Sequence, residues 1–240
     1  MGIASSTLSA LLLVGCPAEQ LGVPLPPRGE AAIGQDDVQR DLYLLTPGAW
    51  NLVDPEEALL HRLDEVGLKP AFGGDFTRGA DAERIACGRA GGDPGPALLL
   101  LTEAEGLGVS QSSLRAAELI SLAKSVDGLD LGQPVLFCYL GAAAGPAFDA
   151  APPLPWAEVG GIVVLGPLTG PALAITDPPW RGHAARLIAS GPDTLAGSEA
   201  DGIERLDFRV IDGNLRAVHR EVLAGLIKDP PSPSPPPPPR

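Results

Sequence analysis

Apolar residues along this chain recur at two spacings. Leu59, Leu60, Leu63 and Val66 share one helical face, and the flanking residues supply both ends of a helix over 54–66. Asp54 can cap it, Pro55 suits the first helical position, Glu57 completes a capping box and Gly67 is the stop. Leu114, Ala117, Ile120 and Ala123 predict a helix over 112–126, and residues 80–89 predict a shorter one. Asp41-Leu42-Tyr43-Leu44-Leu45-Thr46 reads as a buried strand. Ala97-Leu98-Leu99-Leu100-Leu101 is apolar without alternation, the pattern of a central parallel strand covered on both faces. Residues 134–140 and 184–189 read as further strands, whereas 159–165 fits either a strand or a buried helix. Leu206, Phe208 and Val210 alternate with Asp207 and Arg209, and Asp212-Gly213 is a turn signal. That pattern predicts a hairpin with 215–222 as its return strand.

This alternation predicts an α/β domain over 30–228: Rossmann-like, with a mostly parallel sheet flanked by helices and closed by a C-terminal antiparallel hairpin. Residues 1–29 form an extension whose Pro24-Leu25-Pro26-Pro27-Arg28-Gly29 reads as a linker. Residues 229–240 are almost all Pro and Ser, a disordered polyproline tail that reads as a spacer rather than an SH3 or WW ligand. A dinucleotide site between the 41–46 strand and the first helix would need Gly-x-Gly-x-x-Gly. Pro47-Gly48-Ala49-Trp50-Asn51-Leu52 stands there with one glycine and an indole, so no NAD(P) or other cofactor is expected.

Hydrophobic residues make up 45% of the 240, enough for a core, and the net charge is -13. That charge argues against nucleic acid and against electrostatic docking on anionic lipid. Cys16, Cys87 and Cys138 form no CxxC pair, and His61, His183 and His219 are equally scattered, so no zinc-ligand spacing appears. Cys138 reads as a small buried thiol, a pattern that suits a reducing, cytoplasmic compartment. Residues 8–14 are apolar, and Leu13-Val14-Gly15-Cys16 has the form of a bacterial lipoprotein cleavage box. Met1-Gly2-Ile3-Ala4-Ser5-Ser6 also fits a myristoylation pattern. A secretory signal opens with positive charge, which residues 1–12 lack, so a plain extension is the preferred reading. No apolar run reaches the ~20 residues of a membrane helix.

Standard catalytic constellations are missing. The chain has no Gly-x-x-x-x-Gly-Lys, no Gly-x-Ser-x-Gly and no Tyr-x-x-x-Lys. His61 falls on the polar side of its helix, and His219 follows the predicted hairpin into solvent. Glu103 and Glu105 follow a strand end and read as a solvated loop. No catalytic, cofactor-binding or metal residue is assigned, and enzyme activity is left open, with any activity placed in a partner domain. One stretch can carry backbone chemistry: Gly141-Ala142-Ala143-Ala144-Gly145 lets main-chain N–H groups approach an oxyanion. It resembles the small-residue turn of crotonase-type acyl-CoA carboxyltransferases, including the gamma subunit of malonate decarboxylase, although Pro146 interrupts the helix that follows in that family.

A second resemblance covers more of the chain. Leu98-Leu99-Leu100-Leu101, the strand 134–140 running into Gly141-Ala142, Trp156, and Phe208-Arg209-Val210-Ile211-Asp212-Gly213 together resemble the structural subdomain of a polyketide synthase ketoreductase. That resemblance implies a non-catalytic module of fatty acid and polyketide biosynthesis, bracing a separate reductase domain or another synthase component.

Overall fold

Eleven regular elements build the computed structural model, which describes residues 28–46, 55–78, 85–92, 95–103, 109–140, 158–165, 184–188 and 206–228. In chain order they are α1 (Gln35–Leu45), α2 (Pro55–Glu65), β1 (Lys69–Pro70), β2 (Thr77–Arg78), β3 (Ile85–Ala90), β4 (Ala97–Glu103), α3 (Val109–Val126), β5 (Val135–Leu140), β6 (Val159–Leu165), β7 (Ala184–Ile188) and α4 (Phe208–Val218). A 3-10 turn, Gly29–Ala32, precedes α1, and a π turn, His219–Leu223, continues α4. The strands form one sheet in the order β1-β3-β5-β4-β6-β7, with β2 also paired to β3.

The sheet is mixed. β5, β4, β6 and β7 run parallel, while β3 is antiparallel to β5 and to the short strands β1 and β2. The α/β class is therefore correct, but the expected mostly parallel sheet gives way to a mixed one. β4 takes its place at the centre because its alternating faces are both apolar. Leu99 and Leu101 pack with Ile85, Leu136 and Ile162, and Leu100 packs on the other face with α3. The chain leaves β4 through α3 to β5 on one side, then returns to β6 on the other.

Three elements differ from the sequence expectation. Residues 41–46 belong to α1, not to a strand. Val38, Asp41, Leu42 and Leu45 are buried at helical spacing, whereas Leu44 is exposed, so the apolar run is one helix face seen from its end. The expected order of strand 41–46 then helix is therefore a pair of helices, and 47–54 lies outside the described residues. Residues 85–90 of the expected 80–89 helix form β3, whose Gly88 leaves no room for a Cβ against Leu68. The closing hairpin is α4 instead. Phe208, Ile211, Leu215 and Val218 form its buried face, and Asp207 caps it by accepting from the N–H groups of Arg209 and Val210.

The central helix is α3, buried nearly all round and packed on α1, on the sheet and on the C-terminal elements. Several of its buried polar side chains are held, whereas the Ser121 hydroxyl has no partner among the described residues. Arg115 donates to Glu118 at 2.7 Å, and Ser113 donates to the Leu45 carbonyl of α1. Arg62 of α2 reaches the buried Asp41 carboxylate of α1 at 2.9 Å, clasping the first two helices together. Among the described residues, no helix is long and apolar enough to cross a membrane.

Candidate functional site

In open α/β sheets, ligands bind outside the carboxyl ends of strands, where successive connections leave in opposite directions. Here that point is the carboxyl end of β4, between β5 and β6. Thr102 sits there in register with Tyr139 of β5 and Leu165 of β6. Its side chain is fully buried, and its Oγ1 has no hydrogen-bond partner among the described residues. A buried hydroxyl without a partner costs about 1–3 kcal/mol, which marks the position as one worth explaining. Burial pushes the Tyr139 phenol up to about 12, so it is a neutral donor at any ordinary pH. The sequence reading ran the apolar strand only to Leu101. A hydroxyl closing an apolar run just before Glu103 was the available signal for Thr102.

The amino edge of the same strands is different. His219 is buried, and its Nδ1 lies 2.9 Å from Ser125 Oγ at the end of α3. The Ser125 hydroxyl donates to the Leu122 carbonyl at 2.6 Å, so it accepts from His219, and the imidazole carries its proton on Nδ1. A serine oriented this way is not poised as a nucleophile, so the pair ties α3 to the C-terminal turn. Burial holds the His219 pKa below its ordinary value, with Glu30 opposing in part. His219 was expected in solvent and is a core residue, because α4 replaces the hairpin. His61 is exposed on α2 beside Glu65, as the helix pattern implied.

Cys87 and Cys138 are not free thiols. They form a disulfide between directly opposed positions of β3 and β5. The Cys87 N–H donates to the Phe76 carbonyl, and its C=O accepts from Ala71, both on the side away from β5. Cys87 and Cys138 are therefore a non-hydrogen-bonded pair, the position where antiparallel strands approach most closely, and their Cα atoms are 4.2 Å apart. Gly141 to Gly145, Glu105, His183, Trp156 and Cys16 lie outside the described residues. Among the described residues, no three His, Cys, Asp or Glu side chains are grouped to hold a metal ion.

No protein-family model matches the sequence, and no curated protein is similar to it. Solved structures are similar in fold. A Zn-dependent exopeptidase from Parabacteroides distasonis superposes with a TM-score of 0.54 at 9% identity, covering 82% of this chain and 99% of its own. Tannerella forsythia glutaminyl cyclase gives 0.54 at 10%, covering 85% and 100%. Porphyromonas gingivalis glutaminyl cyclase gives 0.52 at 12%, covering 79% and 97%. The likeness is one of fold. It overturns both the ketoreductase and the crotonase resemblances, whose quoted motifs were short apolar runs and small-residue turns that many α/β chains share. The bracing role and the acyl-CoA alternative fall with them.

Proposed function

We propose that this chain uses a fold shared with zinc exopeptidases and glutaminyl cyclases to bind a peptide end at the carboxyl edge of β4, without a zinc centre. The observation that carries this reading is the donor set at that edge. Catalytic zinc takes three protein ligands drawn mainly from His and Cys, with carboxylates completing the set. β4 ends in Thr102-Glu103 and β5 in Tyr139-Leu140. The segments that follow in sequence are Ala104-Glu105-Gly106-Leu107-Gly108 and Gly141-Ala142-Ala143-Ala144-Gly145, with one carboxylate and no His or Cys.

The described His and Cys residues stand elsewhere. His219 is at the amino edge, His61 is on the outer side of α2, and Cys87 and Cys138 are joined to each other. His183 precedes the amino end of β7 in sequence. Among the described residues, no grouping fits zinc. What the described edge supplies instead is the Thr102 hydroxyl, fully buried and without a partner among the described residues. Such a group suits the amides of a peptide. An exopeptidase acts at a chain end, and the fold likeness supplies that part of the proposal.

The proposal takes 30–228 as one binding unit between an N-terminal extension and a Pro-rich spacer. The test is calorimetry of the whole chain with short peptides whose amino end is free or acetylated, with the peptides re-examined by mass spectrometry. The expected result is binding that depends on one free terminus and leaves the peptide intact. Shortened peptides, or a cyclised N-terminal glutaminyl residue, would replace binding with catalysis.

A further inference from the structure

The disulfide changes how the extension before Arg28 is weighed. Cys87 and Cys138 are both fully buried, on neighbouring strands, and bonded to each other. Bonds of this kind persist in oxidising compartments and are rare in the cytosol, where thiols are kept reduced. Closing it requires two thiols to give two electrons and two protons to a disulfide-bearing oxidant, which becomes a dithiol. A core bond of this kind is what export from the reducing compartment would give. One segment of the sequence offers a route: the apolar run 8–14 followed by Leu13-Val14-Gly15-Cys16. The lack of Lys or Arg in 1–12 weighs against export. A closed core disulfide outweighs it.

The fold adds a geometric observation. The described chain begins at Arg28, whose guanidinium lies beside Gly128, just past the end of α3. Gly29 lies against His219, and Arg216 of α4 donates to the Glu30 carbonyl. The chain therefore enters the domain at the amino edge of the parallel strands, opposite the carboxyl end of β4. Eleven residues, 17–27, separate Cys16 from that entry, and they include Pro24, Pro26 and Pro27. Extended, they reach on the order of 35 Å.

We propose that Cys16 is a lipid-modification site, so that the exported chain is held on a membrane by its amino end with the carboxyl edge of β4 facing away. In the reaction, the Cys16 sulfur attacks the glycerol carbon of a phosphatidylglycerol. The bond from that carbon to the phosphate oxygen breaks as the thioether to diacylglycerol forms, and glycerol phosphate leaves carrying the thiol proton. Water then cleaves the Gly15–Cys16 amide, and the freed Cys16 amine becomes the new terminus. This arrangement does not depend on what the carboxyl edge binds.

The experiment expresses the whole chain in a bacterium fed an alkyne fatty acid, followed by Triton X-114 partition and intact-mass analysis. Thiol alkylation before and after reductant is read in the same cells. The expected wild-type product lacks residues 1–15, carries the label on Cys16 and enters the detergent phase. Cys16→Ser should abolish label and partition together, while Cys87 and Cys138 react with the alkylating agent only after reduction. A full-length, unlabelled chain in the aqueous phase overturns the proposal. So does a label that survives Cys16→Ser, as lipidation at Gly2 would give, and so do freely alkylated Cys87 and Cys138.

Discussion

At the amino edge of β4 and β5, backbone and side chains close on one another. His219 donates to Ser125, the Gly132 N–H donates to the Leu226 carbonyl, and Gly92 sits against the backbone of Gln133 and Pro134. At the carboxyl edge β4 carries a buried hydroxyl, Thr102, with no partner among the described residues, followed in sequence by Glu103. One edge spends its polar groups on holding the domain together. The other leaves the Thr102 hydroxyl without a partner among the described residues, and the proposed binding edge rests on that contrast. Substitutions at the amino edge should therefore cost stability, and those at the carboxyl edge should not.

The largest effect is expected at Gly92. Its φ is +93°, and a Cβ there would lie 2.4 Å from the Gln133 carbonyl carbon. Positive φ alone costs a non-glycine residue about 1–3 kcal/mol, and the clash with backbone adds to it. Gly92→Ala should lower the urea midpoint by the equivalent of about 3 kcal/mol. An unchanged midpoint would break the claim that this edge is closed.

A smaller effect belongs to His219. Its pKa in the fold is lowered by burial, so between that value and the unfolded value of about 6.5 the unfolded chain binds a proton that the fold does not. Stability is full above pH 6.5 and falls as the pH drops through that window. Denaturation of the wild type between pH 7 and 5 should show this loss, and His219→Gln should flatten it. An equal slope in both proteins would mean that His219 is not the buried neutral group described.

Thr102 should give the smallest change. Thr102→Val keeps the shape and removes a hydroxyl that has no partner among the described residues. Stability should stay within about 1 kcal/mol or rise, while peptide binding weakens. A loss above that figure would show that the hydroxyl is committed to structure, which would erase the contrast between the edges.

The sequence made the apolar interior legible and the edges much less so. β4 and α3 were read correctly because their patterns admit one solution: an unbroken apolar run, and a long face at helical spacing. α1 and α4 were misread because short windows imitate strands. Leu206, Phe208 and Val210 alternate, yet Phe208, Ile211, Leu215 and Val218 carry the buried face. The Asp212-Gly213 turn signal split that helical face into two apparent strands. The Cys87–Cys138 bond was not legible from spacing, since the residues are 51 apart and meet only through the pairing of β3 with β5. Thr102 was visible as a residue, but its isolation depends on three strands being in register. Small-residue turns such as Gly141 to Gly145 fit too many families to select one.

The central claim is the proposal that this chain, similar in fold to zinc exopeptidases, works without zinc, its described residues grouping no metal-ligand set. The most direct measurement is metal content of the whole chain after equilibration with excess zinc and dialysis, read by inductively coupled plasma mass spectrometry. The account predicts zinc far below one ion per chain, with no change in thermal stability on adding the metal. About one tightly held zinc ion per chain, raising the unfolding temperature as a bound ligand must, would contradict it.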